Sequence, residues 1–307
     1  MSSASQKVLR VGTRRSALAK AQTRWVVDKL LQIHPDLNIE IVEVVTTGDK
    51  AMDTSITRMP GKGLFVKEIE EKLLAGEIDL AVHSMKDLPT EFPDGLTIGA
   101  VPERVDPRDV LVTKLGKNLE DLPNGARVGT GSLRRRAQLL HRYPDLNLVD
   151  IRGNIDTRLK KAETDDYDAI ILAAAGLTRM GWDVQIQQYL SCGEMIPAVG
   201  QGALGIEIRE DDETTRKLIE FLNDPATEMS VKAERHFLQR MGGGCQTPMA
   251  AFCRERDGNV AFQGFCADED GGNFRKDTLE GTLNEAMELA DQLADRLISD
   301  LKSESIA

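Results

Sequence analysis

Apolar and polar positions along this chain switch repeatedly between two periods. Val8-Leu9-Arg10-Val11, Ile39 to Val45, Ile78 to Val82, Leu148 to Ile151 and Tyr167 to Ala174 are short, nearly continuous apolar runs, which predict buried strands. Between them, Leu64, Phe65, Ile69, Leu73 and Leu74 recur at helical spacing and stop at Gly76. The stretch from Ile155 to Ala162 predicts another helix. Strands alternating with helices predict an α/β fold with mostly parallel sheets covered on both faces.

The pattern also repeats. Arg10-Val11-Gly12-Thr13 returns as Arg127-Val128-Gly129-Thr130, each copy leading into an Arg-rich helical stretch. Pro35-Asp36-Leu37-Asn38 returns as Pro144-Asp145-Leu146-Asn147, each leading into a strand. The same order with a shorter spacing in the second copy predicts two related α/β domains whose helices differ by about two turns.

Val101-Pro102-Glu103-Arg104-Val105-Asp106-Pro107 is a proline-punctuated crossing between the copies. A second crossing, Ile196 to Gly202, precedes an apolar run from Ala203 to Ile208 that returns to the first domain. Two crossings predict hinged lobes around a cleft. After Asn223-Asp224-Pro225 the pattern becomes a helix over 226–239, strands near 249–255, 259–267 and 274–281, and a helix over 283–301 with Ala286, Leu289, Ala290, Leu293, Leu297 and Ile298 on one face. The expected domains are 1–102 with 203–222, 103–202, and a small α+β domain over 223–307.

Composition adds limits. At 307 residues the chain exceeds what one core usually serves, and 41% hydrophobic with 29% charged residues suits a globular protein. No apolar run approaches the roughly 20 residues of a membrane span, and the N-terminal residues lack the apolar stretch of a secretory signal. The expectation is a cytoplasmic protein without membrane partners. Net charge is −11, yet the arginines cluster at Arg14-Arg15, Arg134-Arg135-Arg136, and Arg152 with Arg158. An acidic chain with local arginine clusters repels nucleic acid and binds small anions, and 4% aromatics offer few stacking platforms for bases.

The cysteines are Cys192, Cys245, Cys253 and Cys266, with no metal or redox spacing; no metal is expected. Cys253 and Cys266 fall in strand-like runs and read as buried thiols. Cys245 differs, because Met241-Gly242-Gly243-Gly244-Cys245-Gln246 sets it on three glycines. Such a run either presents the thiol or simply makes a turn before a buried one.

Candidate chemistry gathers at strand ends. Thr13-Arg14-Arg15-Ser16 and Thr130-Gly131-Ser132-Leu133-Arg134-Arg135 place hydroxyls, backbone N–H groups and guanidiniums at helix starts, a carboxylate or phosphate site in both copies. Taken singly, each also reads as an N-cap followed by solvated arginines. Arg152-Gly153-Asn154 and Arg158 follow another strand end. So many arginines suit a ligand with several carboxylates. Val82-His83-Ser84-Met85-Lys86-Asp87 ends a buried strand in ionisable groups, where Asp87 could stabilise a cation or move protons. His83 alone reads as structural. Gly61-Lys62-Gly63 lacks the spacing of a P-loop.

These strings, together with Val199-Gly200-Gln201-Gly202 and Gly243-Gly244-Cys245-Gln246, resemble the porphobilinogen deaminase (hydroxymethylbilane synthase) family in order and over nearly the whole chain. The resemblance implies two lobes like those of type II periplasmic binding proteins plus a small third domain, in a monomer. It implies a dipyrromethane cofactor joined to Cys245 by a thioether, with four porphobilinogen molecules added head to tail, loss of ammonia, and release of hydroxymethylbilane. Cofactor-binding roles carry over to Arg14, Ser16, Lys62, Ser84, Lys86, Asp87, Thr130, Ser132, Arg134, Arg135, Arg152, Gly153 and Arg158. Substrate-binding roles carry over to Arg14, Ser16, Arg152, Arg158, Arg179 and Gln201, and the catalytic role to Asp87. Two departures stand out. Gly131 replaces a frequent serine, and Gly242 replaces an acidic or polar residue, a change expected to loosen the cysteine loop. The rival readings are a two-lobed anion- or solute-binding protein, which leaves Cys245 unexplained, and a cysteine hydrolase, which lacks a general base near Cys245.

Overall fold

A computed structural model describes residues 8–48, 66–243 and 248–304. In chain order it has β1 (Leu9–Arg14), α1 (Ala17–Ile33), β2 (Ile39–Val44), α2 (Lys67–Leu74), β3 (Leu80–Ser84) and β4 (Leu96–Ala100). Then come β5 (Asp109–Thr113), β6 (Arg127–Gly129), α3 (Leu133–Arg142), β7 (Asn147–Val149), α4 (Ile155–Ala162), β8 (Ala169–Ala173), α5 (Ala174–Met180) and β9 (Gln188–Tyr189). The rest is β10 (Leu204–Arg209), α6 (Glu213–Ile219), α7 (Pro225–Arg240), β11 (Met249–Arg256), β12 (Asn259–Cys266), β13 (Arg275–Thr282) and α8 (Ala286–Glu304).

The chain divides into two compact units, Met1–Glu103 with Leu204–Pro225, and Arg104–Ala203 with Ala226–Ala307. The first unit holds a sheet ordered β2-β1-β3-β10-β4, and the second a sheet ordered β7-β6-β8-β5-β9 together with the three-stranded sheet β11-β12-β13. The α/β class with a small C-terminal α+β layer is as the sequence predicts. The mostly parallel sheets are not. β1 is parallel to β2 and β3, but β10 runs antiparallel to both β3 and β4. Likewise β6 is parallel to β7 and β8, while β5 runs antiparallel to β8 and β9. The reversed strands, β5 and β10, are the ones that follow the two crossings. Apolar runs reveal burial on both faces but not strand direction.

The sequence repeat has a structural counterpart. Arg10 donates its backbone N–H to Asp79 at 2.8 Å and its guanidinium to the same carboxylate. Arg127 does the same to Asp168, at 2.7 Å from its backbone N–H. In each copy the arginine binds the aspartate that precedes the third strand, so one device fixes the parallel pair twice.

In the first unit, Val26, Val27 and Leu30 of α1 pack on Leu80, Val82, Ile206 and Ile208, while Ile69 and Leu73 of α2 cover Ala81 from the other side. Leu74, expected on that buried face, is exposed. The second sheet is covered in the same way by α3 and by α4 with α5. Within the second unit Ala137 and Ile196 pack against Ala250, Phe252 and Phe265 of the small sheet, and His141 stacks on Phe274 at 4.0 Å between ring centres. Cys253 and Cys266 are buried, as expected. Buried Glu234 of α7 takes both Arg104 Nη atoms at 2.8 and 3.0 Å and the backbone N–H groups of Gly200 and Cys253.

Helix ends carry their own stops. Ser16 caps α1 and Ser132 caps α3, each contributing about 1 kcal/mol. At the end of α7, Gly242 has φ +66°, its N–H reaches the Gln239 carbonyl, and the Gly243 N–H reaches Leu238. That pair of bonds is a Schellman stop, which needs a left-handed residue. Gly242 therefore terminates α7; residues 244–247 of the cysteine loop lie outside the described residues.

Candidate active site

In the first unit β3 delivers Ser84 to its end, and the chain then makes a tight 3-10 turn over Met85–Asp87. Ser84 Oγ accepts a hydrogen bond from Gln22 Nε2 of α1 at 2.8 Å. Asp87 is exposed, and no described residue pairs with its carboxylate. Arg14 ends β1 half-buried, and Ser16 spends its hydroxyl oxygen on the Ala19 N–H at 3.2 Å. The hydroxyl hydrogen of Ser16 remains a donor. Lys86 is half-buried in the turn.

The second unit collects more of the expected residues. Asp109, fully buried, accepts from Arg134 Nη1 at 2.7 Å and from Arg135 Nη2 at 2.7 Å. Gln201 Nε2 joins the same carboxylate at 3.0 Å. Burial would push the Asp109 carboxyl up, but the two arginine charges and these hydrogen bonds outweigh it and hold it far below the usual range. Sequence reasoning missed Asp109. It took Arg134 and Arg135 for ligand-facing groups, whereas both are buried and bonded internally, also to the carbonyls of Ile196 and Ile171. Two guanidiniums against one carboxylate still leave one positive charge inside the unit.

Thr130 is buried and accepts from the Ser132 N–H at 3.2 Å, which shapes the turn into α3. Gly131 sits where an added Cβ would lie 2.9 Å from the Ile151 carbonyl oxygen, so the turn closes tightly on the end of β7. Gly153 has φ +117°, and its carbonyl takes Arg158 Nε at 2.8 Å. Arg152 beside it is exposed, with no described partner for its guanidinium. Arg179 Nη2 donates to the Gly202 carbonyl at 2.8 Å, and burial alone brings the guanidinium down to about 10. No described carboxylate accompanies it. Lys62 and Cys245 lie outside the described residues.

These features fit a ligand with several carboxylates. Arg179 is a desolvated cation in search of a counter-charge, and the buried Arg134 Nε–H has no hydrogen-bond partner among the described residues. The donors are guanidiniums, hydroxyls and backbone amides; among the described residues no His, Cys, Asp and Glu group could hold a metal ion. No described helix is long and apolar enough to cross a membrane.

The arginines, hydroxyls and backbone amides of the second unit are those of a protein that binds polyanionic ligands. Residues 9–217 match the family model described as porphobilinogen deaminase, dipyromethane cofactor binding domain, and residues 229–299 match its C-terminal domain. The chain is 50% identical over 295 residues to the porphobilinogen deaminase of Syntrophotalea carbinolica, covering 96% of this chain and 94% of that one. It is 52% identical over 301 residues to that of Geobacillus kaustophilus, covering 96% and 97%. The chain belongs to the porphobilinogen deaminase family. The activity is that of a hydroxymethylbilane synthase in tetrapyrrole biosynthesis, with a dipyrromethane cofactor.

Proposed function

We propose that Asp87 is the catalytic carboxylate and Cys245 the covalent anchor in the stepwise condensation of four porphobilinogen molecules. The observation that carries this reading is Asp87 itself: exposed at a strand end, on a braced turn, without an internal partner. In each cycle the aminomethyl C–N bond of porphobilinogen breaks and ammonia leaves. The methylene carbon then bonds to the free α-carbon of the terminal pyrrole, which gives up its proton. The bound dipyrromethane supplies the first such α-carbon. Asp87 accepts hydrogen bonds from pyrrole N–H groups and stabilises the cation left by ammonia, work that a fixed carboxylate does better than mobile water.

The acetate and propionate arms need cations. Arg14, Lys62, Lys86, Arg152, Arg158 and Arg179 supply them, with Ser16, Ser84, Thr130, Ser132 and the Gly153 backbone as hydrogen-bonding groups. Arg134 and Arg135 contribute through the donors that Asp109 leaves over, and Gln201, whose amide hydrogens go to Asp109 and the Pro107 carbonyl, contributes by holding that acid in place. Three domains, 1–102 with 203–222, 103–202 and 223–307, divide this work in a cytoplasmic monomer.

Intact-protein mass measurement tests the anchor. The active protein carries the added mass of two linked pyrrole units, and Cys245→Ser does not; a bare polypeptide mass in active protein refutes the reading. Asp87→Ala, folded and loaded, is expected to lose turnover by about 10²–10⁴-fold. Near-normal turnover there removes Asp87 from the chemistry.

A further inference from the structure

The turn that carries Asp87 is held from both faces of the first sheet. Leu80 and Val82 point to α1, and Ser84, on the same face, takes the Gln22 hydrogen bond. Ala81 packs towards α2, and His83 shares that opposite face. There its Nε2 lies 2.9 Å from Glu207 Oε2 of β10, with His83 5% and Glu207 0% exposed. The register pairs His83 with Gly205 and Ala81 with Glu207, so the contact runs diagonally across the antiparallel pair. Gly205 completes the arrangement. An added Cβ there would meet Met85 Cε at 2.9 Å and Leu88 Cδ1 at 3.1 Å, so the 85–88 turn rests directly on β10.

We propose that His83 and Glu207 are positioning residues: their buried hydrogen bond fixes the end of β3 on β10 and thereby sets where the Asp87 carboxylate stands. This rests on Asp87 being the catalytic carboxylate. His83 precedes Asp87 by four residues, too few to absorb a shift at the strand end. A displacement of about 1 Å at a reacting group can cost about 100-fold in rate. A buried donor and acceptor also lose their solvation if either partner goes, which is why the strand end and not the whole sheet is the weak point.

Glu207→Leu, Glu207→Gln and His83→Leu test it, each checked for cofactor mass. The leucine variants are expected to lose about 10- to 100-fold in kcat with a smaller rise in KM, because of the proposed binding groups only Ser84 and Lys86 share the turn. Amide exchange over residues 84–88 is expected to rise in them. Glu207→Gln can still bond to a neutral imidazole and is expected to recover most of the rate and the protection. Folded, loaded leucine variants with normal kcat overturn the proposal, as does a Glu207→Gln variant as impaired as Glu207→Leu. If the leucine variants do not fold, His83→Asn, whose amide is too short to reach Glu207, decides by the same readings. If Asp87→Ala turns over normally, the catalytic assignment fails, while exchange over 84–88 still reports whether the pair holds the turn.

Discussion

The Asp109 carboxylate accepts from Arg134 Nη1 at 2.7 Å with both side chains buried. Arg135 and Gln201 share the same acid, so removing its charge strands two guanidiniums at once.

Asp109→Asn is therefore expected to lose about 3–5 kcal/mol in urea unfolding, the usual cost of breaking a buried pair. The sign with pH follows from the lowered carboxyl. Its contribution is present above the unfolded value of about 3.9 and is lost as pH falls through the folded one. The gap between parent and variant is expected to stay level at pH 5–8 and to narrow only below about pH 4. A gap that closes already near pH 6 contradicts this.

Arg179 presents the opposite case, a desolvated cation that meets a backbone carbonyl and no described acid. Arg179→Gln is expected to leave Tm nearly unchanged and to raise KM for porphobilinogen by roughly 10- to 100-fold, the value of one charge-assisted contact to a carboxylate. Unchanged KM in steady-state assays removes Arg179 from substrate binding.

The alternating pattern gave away the α/β class, α4 to the residue, and the small C-terminal layer. What it hid were partners across the fold. Asp109 heads the apolar run Val110-Leu111-Val112, and Glu207 sits inside Leu204–Arg209; a lone acid in such a run is the available signal of a buried counter-charge. Arg134 and Arg135 read as ligand-facing groups because their pairing acid lies about 25 residues away in sequence. That hydroxyl-bearing and charged residues gather at strand ends was legible from residue type. Which of their donors are already spent was not, because that depends on contacts between distant segments.

Glu70, on α2, is buried with Oε1 unpartnered among the described residues. Burial first, and then the nearby Glu207 charge, raise its carboxyl above the ordinary value. An acid raised in the folded state costs stability as pH climbs from its unfolded value, near 4.3, through the folded one. Glu70→Gln removes that cost. The variant is expected to melt above the parent near pH 7, with the advantage gone below about pH 4. Melting curves that differ equally at both pH values contradict this.

In Gly131→Ser the added Cβ would press on the Ile151 carbonyl at 2.9 Å. Backbone cannot yield as a flexible side chain does. A loss of about 1–3 kcal/mol in chemical denaturation is expected. An unchanged midpoint would mean that the turn into α3 relaxes freely.

The place of β10 bears on how the chain is made. β4 ends at Ala100, but the strand between it and β3 begins only at Leu204. A ribosome adding about 5–20 residues per second takes roughly 5–20 s to cover that distance. Throughout that interval β3 and β4 have edges exposed to any neighbouring nascent chain, so the vulnerable moment of this protein falls during translation.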